Sequence, residues 1–170
     1  FVGRATMDVL AQSSVGVIAT SGNPQGNLDN SVVGADFLYR NNRLPWGKPV
    51  EGDLWYQQSE TENVTGDDRA FGVGFRIPDT KGWRTAYVYR QIGDAFFPAM
   101  GFVNRAGIRE NFLGVSHLWR PAGLIQSFNT DVEFDQIRSL ATGERLTETI
   151  ALRAFEMETR RAVGAFGSII

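Results

Sequence analysis

Asn129, Asp131, Glu133 and Asp135 stand at two-residue spacing. In an extended strand that period puts all four on one face. Such a row makes a cation-attracting wall, facing a lumen or a ligand. Its plainer reading is a solvated face neutralised by arginines such as Arg120, Arg138 or Arg153. Carboxylates in a row are costly against lipid, so this face is expected to line a lumen or stand above a membrane.

A second candidate is the segment from Ile92 to Gly107. Gly93 and Gly101 permit unusual backbone angles and Pro98 restricts them. Phe96, Phe97, Met100 and Phe102 give the segment an apolar body, and Asp94 and Arg105 are placed to pair across its ends. The functional reading is a loop folded into a barrel mouth, where it gates or binds. The structural reading is a self-packed plug or strand cap.

Other candidates carry weaker signals. Glu60, Glu62, Asp67 and Asp68 crowd one loop without the offsets and central glycine of an EF-hand. Asn63-Val64-Thr65 matches a glycosylation sequon, a frequent chance match. His117 is the single imidazole and shares a strand face with Leu113, Val115 and Trp119. No pattern supplies it with a nucleophile or an orienting carboxylate. Gly72-Val73-Gly74 falls inside a strand rather than in a phosphate loop. Trp46, Trp55, Trp83 and Trp119 suit strand ends at a membrane interface, and suit ordinary core or edge positions as well.

The 170 residues include one His and no Cys, which excludes disulfides, thiolate metal sites, a cysteine nucleophile and any multi-histidine site. No metal, cofactor or catalytic residue is expected. Carboxylates distant in sequence, such as Asp53 and Asp131, are the one opening left for an enzyme. Nineteen acidic and 17 basic residues give a net charge of −2, which argues against a nucleic-acid partner. No apolar run approaches the ~20 residues of a spanning helix. A spanning β-barrel escapes that test, because only alternate residues face lipid.

These residues need strands to position them. Phe71, Val73, Phe75 and Ile77 alternate with small or polar residues, as do Val33, Ala35, Phe37 and Tyr39, and Phe128, Thr130, Val132 and Phe134. Turn chemistry at Asn23-Pro24, Asn41-Asn42, Gly66-Asp67, Pro78-Asp79, Pro121-Ala122-Gly123 and Thr142-Gly143 separates the runs. The pattern predicts an all-β chain of about eight strands: 4–20, 31–40, 49–58, 69–77, 83–92, 108–120, 124–141 and 145–160. Connections this short make neighbours antiparallel, so the architecture is an up-and-down meander. Several strands reach the ~9–11 residues of a membrane crossing. Long connections after the first, third and fifth strands alternate with shorter ones, as in outer-membrane barrels. Two strands resist a clean face assignment. Arg84 and Arg90 share a face with Ala86 and Val88, and Glu148, Glu156 and Glu158 share one with Ile150 and Leu152. For the latter, either the glutamates lie above the membrane or a bulge flips the register.

Three stretches together carry a resemblance: Arg4 to Ile18, Val33-Gly34-Ala35-Asp36, and Tyr89 to Arg105 with its Ile92-Gly93-Asp94, Phe96, Pro98, Gly101-Phe102-Val103 and Arg105. They resemble the C-terminal domain of a family of large bacterial proteins of unassigned function. In that family a module like the family-9 carbohydrate-binding modules precedes an outer-membrane-type β-barrel. The resemblance implies a membrane scaffold or pore without catalysis. Its partners would be the outer-membrane bilayer and other domains of the same protein. It transfers no catalytic residue, and nothing here resembles the carbohydrate-binding module. The whole of 1–170 is then expected to be a single barrel segment, either a fragment of a larger barrel protein or a processed product. The competing reading is a soluble β-barrel or β-sandwich that binds a small molecule or glycan. The two differ in which strand face points inward.

Overall fold

The computed structural model describes all residues except Gln25, Asp79, Thr80, Ala162, Val163 and Ile170. Its strands are β1 (Val2–Val9), β2 (Ser13–Ser21), β3 (Asn30–Asn41), β4 (Val50–Thr61), β5 (Arg69–Ile77), β6 (Gly82–Ile92), β7 (Ile108–Trp119), β8 (Ile125–Ser139), β9 (Arg145–Thr159) and β10 (Gly164–Ile169). They form one antiparallel sheet in sequence order. The all-β meander is thus as expected, but it has ten strands, not eight. The first expected strand is a hairpin that turns at 10–12, where Leu10 takes φ 56°. The tenth strand returns on the last long one. The connection 42–49 equals 22–29 in length, so the expected asymmetry rests mainly on the long segment 93–107.

Register assigns the faces. One row of partners runs Ala5, Val17, Ala35, Tyr56 and Phe71. With the period-2 alternation it defines an outer face carrying Met7, Val33, Leu54, Val73, Tyr87, Leu113, Val132 and Ile150. The next row runs Thr6, Gly16, Asp36, Trp55, Gly72, Arg90, Glu110 and Ile137 along the inner face. Register also settles the two ambiguous strands. Arg84 and Arg90 belong to the inner face. Along β9 the pairing slips between Asn129 and Asp131, whose partners are Glu156 and Arg153. That bulge leaves Ile150 and Leu152 outward, brings Phe155 and Met157 outward after them, and turns Glu156 inward.

The sheet curves toward its inner face. One cavity of ≈ 680 Å³ is lined by Val2 of β1, Ile137 of β8 and residues of every strand between. Flat, those two strands would lie about 34 Å apart at ~4.8 Å per step. The sheet is open, with β1 and β10 as its two edges. Its buried apolar residues, Val32, Ala70, Ala95, Phe96, Ala99 and Ile108, gather where the segment 93–107 folds onto the inner face. Among the described residues nothing covers the outer face: Val17, Val33, Leu54 and Ile150 are 56%, 58%, 55% and 61% exposed.

Candidate functional site

The segment 93–107 is built in two halves. Its first half is pinned. Gly93 N–H donates to the Arg69 carbonyl, Ala95 N–H to the Asp67 carbonyl, and Asp67 N–H to Asp94 Oδ1 at 2.9 Å. Asn30, 4% exposed, donates from Nδ2 to the Phe97 carbonyl (2.7 Å) and accepts from Ala99 N–H at Oδ1 (3.1 Å). Ser59, fully buried, accepts from Phe97 N–H at 3.0 Å. These bonds satisfy backbone groups that the buried loop would otherwise orphan. The second half hangs over the cavity: Phe102 is 85% exposed, and Phe102, Asn104 and Arg105 line the cavity rim.

Of the loop candidates, Phe96 is buried as the packed anchor and Phe97 is half outside. The expected pairing of Asp94 with Arg105 is not formed. Asp94 is drawn to the Asp67 backbone by the close approach of the 62–68 connection, while Arg105 stays at the exposed rim. The loop is therefore held by strand residues, Asn30 and Ser59, rather than by its own charges.

Asn129, Asp131, Glu133 and Asp135 do share one face, and it is the inner one. Asp131 binds Arg153 at 2.5 Å, and Asn129 accepts from Arg84 Nη2 at 2.7 Å while donating to Asp131. The buried Oδ1 of Asp135 has no hydrogen-bond partner among the described residues, and Glu133 is exposed. Arg153 alone of the three expected arginines neutralises the row. Arg138 lies on the outer face and donates to Gln136, and Arg120 lies past the end of β7.

The rest of the inner wall is a lattice of opposite charges. Arg4 pairs with Asp36 (2.9 Å), Arg40 with Glu51 (2.7 Å), Arg76 with Asp53 (3.3 Å), and Arg90 grips Glu110 with two bonds of 2.6 Å. Each joins neighbouring strands or next neighbours, so the wall is polar but close to neutral. Exposed pairs of this kind contribute only ~0–1 kcal/mol each. Their consequence is the character of the surface. Asp53 and Asp131 lie on β4 and β8, each with its own arginine. Among the described residues no group of three His, Asp or Glu is arranged to hold a metal ion.

The tryptophans divide. Trp83 and Trp119 lie on the outer face near one end of the strands, Trp83 with its ring 4.8 Å from that of His117. Trp46 is exposed in the 42–49 connection. Trp55 departs from the strand-end expectation and lines the inner cavity. Tyrosines mark the outer rim: Tyr56 and Tyr89 donate to Gln58 and Gln91 toward the long-loop end, and Tyr39 accepts from Asn41 at the other. Sequence reading missed Asn30, Ser59 and the inward Trp55. The signal was present in Asn30 and Ser59 as small polar residues at strand ends beside the long loops.

Compared with family models, curated proteins and solved structures, the chain matches none of them.

Proposed function

We propose that the chain is a wall of an outer-membrane β-barrel, with its apolar face against lipid and its charged face lining a lumen narrowed by the mouth loop. One observation carries this reading: the convex face bears an exposed apolar band, while the ion pairs and the carboxylate row stand on the concave face. A soluble barrel or sandwich encloses its apolar face, and this curvature turns that face outward. The outer apolar stretch runs seven positions on β5, from Phe71 to Ile77. At ~3.4 Å per residue that is about 20 Å along the strand, near the ~25 Å band of membrane barrels. Amide-capped tyrosines and Trp83 and Trp119 bound it, as interfacial aromatics do. The β8–β9 hairpin extends beyond it with Gln136, Arg138, Arg145 and Glu148. The function that follows is a scaffold or passage in the outer membrane, without catalysis, in keeping with the family resemblance. Purification tests it. The full-length protein is expected to partition with outer membranes and to need detergent. A monodisperse soluble protein without detergent would rule the reading out.

A further inference from the structure

Two glycines clear room on either side of β4. A Cβ at Gly72 would lie 2.6 Å from Trp55 Nε1 and 2.7 Å from its Cε2, so the indole occupies the space above that glycine. A Cβ at Gly34 would lie 2.7 Å from Gln57 Cγ. Gly72 is the register partner of Trp55 on one flank of β4, and Gly34 that of Gln57 on the other. Glycine inside a strand weakens it, and its presence marks a close approach. Here the approach lays a large aromatic and an amide along the inner wall.

The same row continues to Arg90 and Glu110, locked to each other by two bonds of 2.6 Å. On the other side stands Asp36, locked to Arg4 at 2.9 Å. An aromatic surface is thus flanked at one level by two ion pairs whose charges cancel. Trp55, Gln57, Arg90 and Glu110 all line the ≈ 680 Å³ cavity beneath the mouth loop. That volume falls within the ~300–1,000 Å³ of small-molecule sites.

We infer that this cavity binds a neutral polyhydroxylated ring, a saccharide, on Trp55. The inference rests on the lumen reading above. A pyranose has an apolar C–H face and a rim of hydroxyls. The indole takes the first. The Gln57 amide offers both a donor and an acceptor to the second, and the carboxylate of Glu110 and the guanidinium of Arg90 keep further hydrogen-bonding capacity. The two ion pairs cancel beside the indole, so the wall at Trp55 itself favours neither an anion nor a cation, and Arg105 at the rim is the one charge lining the cavity that no described residue pairs. The loop rim, with Phe102, Asn104 and Arg105, borders the cavity from above.

Calorimetric titration of the full-length protein in detergent tests the assignment, using the neutral tetrasaccharides maltotetraose and xylotetraose, the anionic tetragalacturonate and the cationic chitosan tetramer. At least one neutral probe is expected to bind saturably and more tightly than either charged one. Trp55→Ala and Gly72→Val should each weaken it about tenfold. Trp55→Phe, which keeps a ring, should retain most of the affinity, and Gly72→Val carries the test of loss if the alanine variant does not fold. Binding by neither neutral probe, preference for a charged one, or undiminished binding in Trp55→Ala each overturns the inference. Quenching of Trp83 and Trp119 by brominated lipid, measured on the same protein in bilayers, separates the two failures. If that quenching persists without sugar binding, this inference alone falls. If it is absent, the membrane reading falls with it.

Discussion

Asn30 holds Ala99 and Phe97 as a paired strand would, giving Nδ2–H to one carbonyl at 2.7 Å and taking an N–H at Oδ1 at 3.1 Å. One buried side chain on β3 thereby replaces the ladder partner that the segment 93–107 lacks. Asn30→Ala is expected to cost about 1–3 kcal/mol, the price of leaving buried backbone groups unpaired. Hydrogen exchange should locate the loss: the Ala99 amide should exchange faster while the β7–β8 ladder stays protected. Unchanged protection at Ala99 would show that the loop is held elsewhere.

Gly93 is the loop's tightest joint. A Cβ there would lie within van der Waals overlap of the Asp67 carbonyl oxygen, a backbone atom that cannot swing aside. Gly93→Ala should therefore part the 62–68 and 93–107 connections and cost about 1–3 kcal/mol. Limited proteolysis is expected to cut the variant within 93–107 faster than the parent. Equal cleavage rates would contradict the close approach.

Asp131 is the inner carboxylate most dependent on a partner, its side chain 9% exposed against 44% for Arg153. Arg153→Ala leaves that charge uncompensated. The half-open arginine limits the expected loss to about 1–2 kcal/mol. Adding Asp131→Asn should recover part of it. Denaturation midpoints of the single and double variants measure the coupling, and strict additivity would dissolve the pair.

A charge should be tolerated on one face and not on the other. Leu113→Arg, on the outer face, is expected to cost about 2–4 kcal/mol in bilayers, while Thr149→Arg, opposite Asp135 on the inner face, should cost little. Refolding into vesicles compares them directly. Equal penalties would contradict the two-faced sheet.

The sequence was most legible where alternation was strict and turns were conventional. Phe71 to Ile77 announces its strand, its faces and its ends, because Gly72, Gly74 and Arg76 leave no doubt about the period. The β1–β2 turn was illegible for the opposite reason: Leu10-Ala11-Gln12 contains no Gly, Pro, Asn or Asp, yet Leu10 takes a left-handed backbone. The β9 bulge also leaves no local mark. Glu156 reads as out of phase until its partner Asn129 is known. The site divides in the same way. The row 129–135 was visible as one face because period 2 is local. The anchoring by Asn30 and Ser59, the inward turn of Trp55 and the Arg90–Glu110 pair all depend on which strands are neighbours and in what register. No spacing along a single strand contains that.

A chain that walls a membrane barrel sets its convex face against lipid and its concave face against water. Single-tryptophan variants retaining Trp83, Trp119 or Trp55, in bilayers, distinguish the two faces. Brominated lipids should quench Trp83 and Trp119 and spare Trp55, while aqueous acrylamide should reach Trp55. Lipid quenching of Trp55 with Trp83 and Trp119 spared would invert the faces and rule out an apolar face turned to lipid.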